Sequence, residues 1–185
     1  MRRAVFLDRD GTLNREVGYV GDPAELEILP GVPAALARLA AAGFALVVIT
    51  NQSAIGRGLF TRAQVDAVHA RLERELASAG VRLDGIFVCP HAPDDECACR
   101  KPRPGLFLQA RDVLGLDLGH SWMVGDTAKD AAAARAAGVR PLYVTTGWGE
   151  RDRASALAAG LAVADVATDL AAAAARILAL REPAS

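Results

Sequence analysis

The sequence predicts an α/β fold in three layers, a central parallel sheet between two layers of helices, and three observations predict it. Short apolar runs of strand length recur at residues 5–7, 45–49, 86–88, 122–124 and 142–144. They are apolar throughout rather than alternating, the pattern of strands buried on both faces. Segments with helical spacing separate them, giving the alternation of βαβ units. Four strand ends carry unusual polar groups: Asp8 with Asp10, Thr50, Cys89, and Asp126 with Asp130 beyond it. In a Rossmann-like parallel sheet these ends share one edge, where such sheets bind ligands.

Each element has a local reason. Val5-Phe6-Leu7 runs into Asp8-Arg9-Asp10-Gly11-Thr12, a strand stopped by carboxylates and a glycine turn. Residues 14–29 carry Gly18, Gly21 and Pro23, which break any long period and predict a loop with a short hairpin. Val32, Leu36, Leu39 and Ala40 follow helical spacing, with Pro33 in the first turn and Gly43 at the stop. The strand at 45–49 leads into Thr50-Asn51-Gln52-Ser53. Thr61 and Gln64 form a capping box ahead of a helix through Val65, Val68, Leu72, Leu76 and Ala79 that ends at Gly80. His69, on that helix, and His120 have no partners at ligand spacing and read as surface or cap residues.

The strand at 86–88 enters a cysteine cluster. Pro104 opens a helix stopped by Gly115, and the strand at 122–124 is followed by an alanine helix stopped by Gly138, whose small residues imply close packing on the sheet. After the strand at 142–144 come a turn through Trp148, a short helix, a weak strand at 161–164 and a final amphipathic helix through Leu170, Ala174, Ile177 and Leu178. No long linker or repeat interrupts the series, so residues 1–185 read as one domain without a large cap.

Composition excludes several classes. A formal charge of −1 argues against general attraction to nucleic acid or an anionic membrane. No segment approaches the length of an apolar membrane span, and the start lacks the apolar core of a signal peptide. The expectation is a cytoplasmic, monomeric protein acting on a small molecule. Gly56-Arg57-Gly58 is too short for a dinucleotide fingerprint, and the first strand ends in carboxylates where that motif needs glycines.

Two sites carry chemistry. Carboxylates, a hydroxyl and the cations of Arg100-Lys101-Pro102-Arg103 converging on one edge describe metal-assisted phosphoryl transfer. Mg²⁺ takes one or two carboxylates plus substrate phosphate, which suits Asp8 and Asp126 with the Asp10 carbonyl. One carboxylate can attack phosphorus and another can move protons, while Thr50 holds phosphoryl oxygens and Lys101 neutralises charge. The second site is Cys89-Pro90-His91 followed by Cys97-Ala98-Cys99, three thiols and an imidazole that make a complete tetrahedral set for Zn²⁺. It uses every cysteine of the chain and leaves no position open for water, so the expected role is structural. Arg100 and Lys101 follow directly, so zinc would aim them at phosphate.

Asp8-Arg9-Asp10-Gly11-Thr12, strand-end Thr50, Lys101 before a proline, and Gly125-Asp126 with Asp130 together resemble the haloacid dehalogenase superfamily of phosphatases. The resemblance implies Asp8 as nucleophile, Asp10 as general acid/base, Asp130 one layer behind the magnesium, and the strand order 3-2-1-4-5. Phe6 to Asn14, Gly18-Tyr19, Thr50 to Ser53 with Arg57-Gly58, and the cysteine loop are similar to the branch that hydrolyses heptose bisphosphates. That likeness implies substrate contacts at Glu16, Val17, Gly18, Tyr19, Thr50, Asn51, Gln52, Ser53, Arg57, Arg100 and Lys101. A related branch acting on histidinol phosphate shares the catalytic and cysteine motifs. Thr127, where the heptose branch often carries lysine, and Ala54, where it carries glycine, depart from the pattern. A different reading, a zinc-stabilised binding module without catalysis that touches nucleic acid through Arg100 to Arg103, is opposed by the intact acidic set and the near-neutral charge.

Overall fold

The computed structural model describes residues 1–180; the last five positions of the expected 1–185 domain lie outside the described residues. One sheet holds six parallel strands in the order β3-β2-β1-β4-β5-β6. They are β1 (Arg2–Leu7), β2 (Ala45–Asn51), β3 (Gly85–Cys89), β4 (Leu116–Gly125), β5 (Arg140–Val144) and β6 (Val166–Ala167). The expected order of the first five holds, and β6 extends it at one edge.

Alternation along the strands divides the core into two layers. Val5, Leu7, Leu46, Val48 and Val124 point to a layer built from α1 (Val32–Ala41), α3 (Arg62–Ser78) and α7 (Leu170–Leu180). Ala4, Phe6, Val47, Ile49 and Met123 point the other way, to α4 (Gly105–Leu114) and α5 (Ala128–Ala136). Phe6 meets Phe107 of α4 edge-on, with ring centroids 4.8 Å apart. Ala131, Ala133 and Ala134 are buried, so the alanines of α5 do allow a close approach. Two further helices, α2 (Ser53–Gly56) and α6 (Gly149–Ala158), follow β2 and β5. No described helix is long and apolar enough to cross a membrane.

Three expectations are corrected. The last strand lies at 166–167, not 161–164: Leu161 closes the end of α6 by donating its N–H to Ala156, and a 3₁₀ turn occupies Val163–Asp165. Strand β4 begins at Leu116, six residues before its apolar run, because Arg2 and Arg3 of β1 pair with Leu116 and Asp117 before the register shifts. His69 is neither at the surface nor a cap; it is buried on the inner face of α3.

Candidate active site

The crossovers bring the ends of β1, β2 and β4 together. Asp8 leaves β1 with its carboxylate 13 % exposed, and Oδ1 accepts the Arg9 backbone N–H (2.8 Å) and pairs with Lys101 Nζ (2.9 Å). Lys101 also pairs with Asp130 Oδ1 (2.5 Å) and donates to the Ile49 carbonyl (2.9 Å). Its backbone is clamped by Asn51, whose amide accepts from Lys101 N and donates to Lys101 O, both at 3.1 Å. The buried ammonium therefore stands between two carboxylates. Burial alone would favour its neutral form, but Asp130 and Asp8 outweigh that and raise its pKa.

Asp126 lies at the end of β4, fully buried. Its Oδ2 accepts the backbone N–H of Trp148 (2.8 Å), delivered by the loop after β5. Space for this carboxylate depends on two glycines: a Cβ on Gly11 would lie 2.1 Å from Oδ2, and one on Gly147 2.2 Å. Gly11 also has φ +80°, which side chains rarely adopt. Asp130, on the first turn of α5, caps that helix by accepting from the backbone N–H (3.1 Å) and hydroxyl (2.6 Å) of Thr127.

Carboxylate oxygens of Asp8, Asp126 and Asp130 lie within 4.8 Å of one another. Burial, then the neighbouring carboxylates of Asp8 and Asp130, push Asp126 up to about 9. Burial likewise drives Asp8 up to about 7, against the pull of Lys101. Asp126 Oδ1 is buried without a hydrogen-bond partner. Crowded acids with an orphaned oxygen fit a divalent cation, which would offset the burial and the carboxylate repulsion that raise both pKa values. An all-oxygen donor set is the one Mg²⁺ prefers.

Asp10, two residues beyond Asp8, is surrounded by donors. Arg9 Nη2 reaches both of its oxygens at 2.8 Å and Nε reaches Oδ1 at 3.1 Å; Asn14 Nδ2 donates to Oδ1 (3.0 Å) and Gln52 Nε2 to Oδ2 (2.9 Å). Gln52 Nε2 also lies 2.8 Å from Thr50 Oγ1. Burial would raise the Asp10 pKa, but Arg9, Asn14 and Gln52 overcome it and hold the carboxyl below its ordinary range. Arg9 itself is fully buried.

The cleft above these groups is lined by Asp8, Asp10, Thr50, Lys101, Asp126 and Asp130, with Glu16, Gly18, Tyr19, Asn51, Gln52, Arg100, Lys129 and Trp148 around its mouth. Val17 instead lines an adjoining cavity with Arg15, Leu29 and Trp148. Ser53 is buried at the start of α2, and Arg57 is exposed at its end; neither lines the cleft. The sequence places Trp148 only in a turn and gives Lys129 no role, yet both line the cleft. The order of Lys129, one residue before Asp130 on a helix that starts at the cleft, is the signal that could have found it.

The cysteine loop folds beside this cleft. Cys89 Sγ lies 3.7 Å from Cys97 Sγ and 3.6 Å from His91 Nδ1, and His91 Nδ1 lies 3.2 Å from Cys99 Sγ. All four atoms fall within 4.8 Å of one another. With Zn–S bonds of about 2.3 Å, a tetrahedron has S···S edges near ~3.8 Å, close to the Cys89–Cys97 separation, so the donor set fits a zinc site. Burial pushes the Cys89 thiol up to about 12, so a thiolate there calls for a cation. The loop is tied to the cleft: Arg100 Nη1 donates to the His91 carbonyl (3.2 Å), Arg103 to that of Cys97, and the Gln52 N–H to that of Cys89 (2.8 Å).

This sheet order, with carboxylates closing β1 and β4 and a lysine that pairs Asp8 of the first with Asp130 on α5, marks the HAD-like class of hydrolases, and a family model described as HAD-hydrolase-like matches residues 98–175. A D-glycero-beta-D-manno-heptose-1,7-bisphosphate 7-phosphatase of Escherichia coli O6:H1 is 49 % identical over 143 residues, 74 % of this chain and 75 % of the relative. One from Vibrio cholerae serotype O1 is 44 % identical over 163 residues, 84 % and 88 % of the two chains. The crystal structure of the D,D-heptose 1,7-bisphosphate phosphatase of B. bronchiseptica, complexed with magnesium and phosphate, superimposes with a TM-score of 0.88 at 42 % identity, covering 96 % of this chain and 98 % of that one. The chain belongs to the family of the D-glycero-beta-D-manno-heptose-1,7-bisphosphate 7-phosphatases within the HAD-like hydrolases.

Proposed function

We propose that the chain is a Mg²⁺-dependent phosphatase that removes the 7-phosphate of D-glycero-D-manno-heptose 1,7-bisphosphate through an aspartyl-phosphate on Asp8. The observation that carries this reading is the convergence of Asp8, Asp126 and Asp130, with Lys101 paired to the first and last of them and Asp10 held separately by Arg9. The magnesium and phosphate of the B. bronchiseptica structure support it.

Asp8, Asp126 and the Asp10 carbonyl would hold Mg²⁺, with Asp130 behind them, its oxygens already committed to Lys101 and Thr127. Bound there, the ion supplies positive charge to the transferring phosphoryl group and keeps Asp8 ionised. Asp8 Oδ2, without a hydrogen-bond partner among the described residues, is the attacking atom. It forms a bond to phosphorus as the bond to the sugar oxygen breaks, and Asp10 protonates that oxygen. In the second half, Asp10 takes a proton from water as the water oxygen attacks phosphorus, releasing inorganic phosphate and the Asp8 carboxylate. With its pKa lowered at rest, Asp10 starts as a base; arrival of an anionic phosphate beside it favours uptake of the proton that the first half needs. Thr50 and Lys101 would contact phosphoryl oxygens, and Glu16, Gly18, Tyr19, Asn51, Gln52 and Arg100, which line the cleft, the sugar or its second phosphate. Zn²⁺ on Cys89, His91, Cys97 and Cys99 would stiffen the loop that carries Arg100, with no coordination position left for substrate. The single continuous sheet supports one catalytic domain.

Comparing kcat/KM on the heptose bisphosphate and on histidinol phosphate, with Mg²⁺, for wild type and Asp8→Asn tests the reading. The heptose substrate should be preferred and Asp8→Asn inactive on both. Preference for histidinol phosphate would overturn the substrate, and equal, negligible turnover in both proteins would favour a binding module.

A further inference from the structure

The Arg9 guanidinium has two sides. Its Nε and Nη2 face the carboxylate of Asp10, and its remaining amino group, Nη1, reaches Nε2 of His69 at 3.1 Å. His69 comes from α3, a separate element, and is only 5 % exposed. It shares the inner face of that helix with Val65, Val68, Leu72 and Leu76, so the ring is fixed by the packing of the whole helix. Since Nη1 can only donate, Nε2 accepts and the ring proton sits on Nδ1. A fully buried guanidinium with one side unpaired would be costly and free to rotate about its stem. His69 removes both problems without bringing a second charge.

We infer that His69 is a positioning residue for the reaction: by accepting from Arg9 Nη1 it fixes the fork that aims the Asp10 carboxyl. The inference rests on the acid/base role of Asp10 proposed above. Arg9 is the only cation on Asp10 among the described residues, and its Nη1 has no other acceptor there. Loss of the His69 bond lets the fork swing, and Asp10 then spends less time aligned with the sugar oxygen that must receive its proton. Such a defect depends on the leaving group. A sugar alkoxide leaves only with a proton, whereas nitrophenolate leaves without one, so p-nitrophenyl phosphate is insensitive to the aim of Asp10 in the step that forms the aspartyl-phosphate.

The test compares kcat/KM on the heptose bisphosphate and on p-nitrophenyl phosphate for wild type, His69→Leu, His69→Gln and an Asp10→Asn control, with Mg²⁺ and Zn²⁺ present. A positioned acid is worth ~10²–10⁴-fold, and partial misalignment in His69→Leu should cost about ten-fold on the sugar phosphate and less than about two-fold on the aryl phosphate. His69→Gln, which keeps an acceptor oxygen for Nη1, should restore most of the loss. Should His69→Leu fail to fold, His69→Met, which fills the space with only a weak acceptor, takes its place in the same comparison. Equal losses on both substrates, no loss on either, or a His69→Gln protein as impaired as the apolar variant would overturn the inference. An Asp10→Asn protein equally affected on both substrates would overturn the acid role itself, and with it the basis of the inference, a result distinct from a failure at His69 alone.

Discussion

His69 also makes a prediction about stability that needs no substrate. Its pKa falls from the ordinary 6.5 to about 4, first because it is buried and then because Arg9 opposes a second positive charge; Arg62 acts in the same sense, and Asp66 and Asp10 oppose it. Between these two values the unfolded chain binds a proton that the folded chain refuses, so stability falls as pH falls through this window. For a single group with these values, linkage gives a loss of about 2 kcal/mol between pH 7 and pH 5, against almost nothing between pH 7 and pH 8. Replacing His69 by Gln deletes the titration while keeping the acceptor for Arg9. Urea unfolding of both proteins at pH 7 and pH 5, at fixed zinc and magnesium, isolates the effect. The raised carboxyls of Asp8 and Asp126 act in the opposite sense, but they are common to both proteins and cancel in the difference. Wild type should lose about 2 kcal/mol more than His69→Gln over this interval. Equal acid-side losses would show that His69 is not held neutral, and the buried contact with Arg9 would be refuted.

Lys101→Met leaves Asp8 and Asp130 facing each other without the ammonium between them; stability should drop by roughly 3–5 kcal/mol in urea unfolding. Turnover should fall at least ~10²-fold, as for loss of a charge-stabilising group. Cys97→Ala should release zinc, read by metal analysis, and lower turnover only in part, because Asn51 still clamps the Lys101 backbone. Unchanged zinc content would refute the four-donor assignment. Gly11→Ala would force a methyl group against Asp126 Oδ2 from a backbone at φ +80°; magnesium affinity, measured by titration, should weaken at least ~10-fold with the sheet intact by circular dichroism.

Much of this architecture is legible from residue order, and the exceptions have physical causes. Val5 to Leu7 and Ala45 to Ile49 read as strands because both faces of each are covered, and the polar groups at their ends stand out against that background. Strand β6 is not legible: two half-buried residues pair with Tyr143 and Val144 by position alone, whereas Val163, which looks like a strand residue, is 66 % exposed. The first half of β4 is hidden because Asp117, Gly119 and His120 break its apolar run. In the site, the acids and the cysteine loop announce themselves by type and spacing. Arg9 does not, since a cation between two aspartates looks solvent-exposed until Asp10 and His69 are seen to enclose it. His69 could have been found: Val65, Val68, Leu72 and Leu76 define the inner face of α3, and position 69 falls on it. Asn51 lines the cleft, and its amide also clamps the Lys101 backbone, a long-range contact that no local pattern carries.

In the proposed reaction, Asp8 Oδ2 is the atom that receives the phosphoryl group. Reaction of the wild-type protein with the heptose bisphosphate and Mg²⁺, quenched within a turnover and reduced with borohydride, converts an aspartyl-phosphate to a stable alcohol that mass spectrometry can locate. The reduced side chain should appear at position 8 and depend on substrate. Its appearance at Asp10 or Asp126, or its absence while phosphate is released at the full rate, would contradict the account.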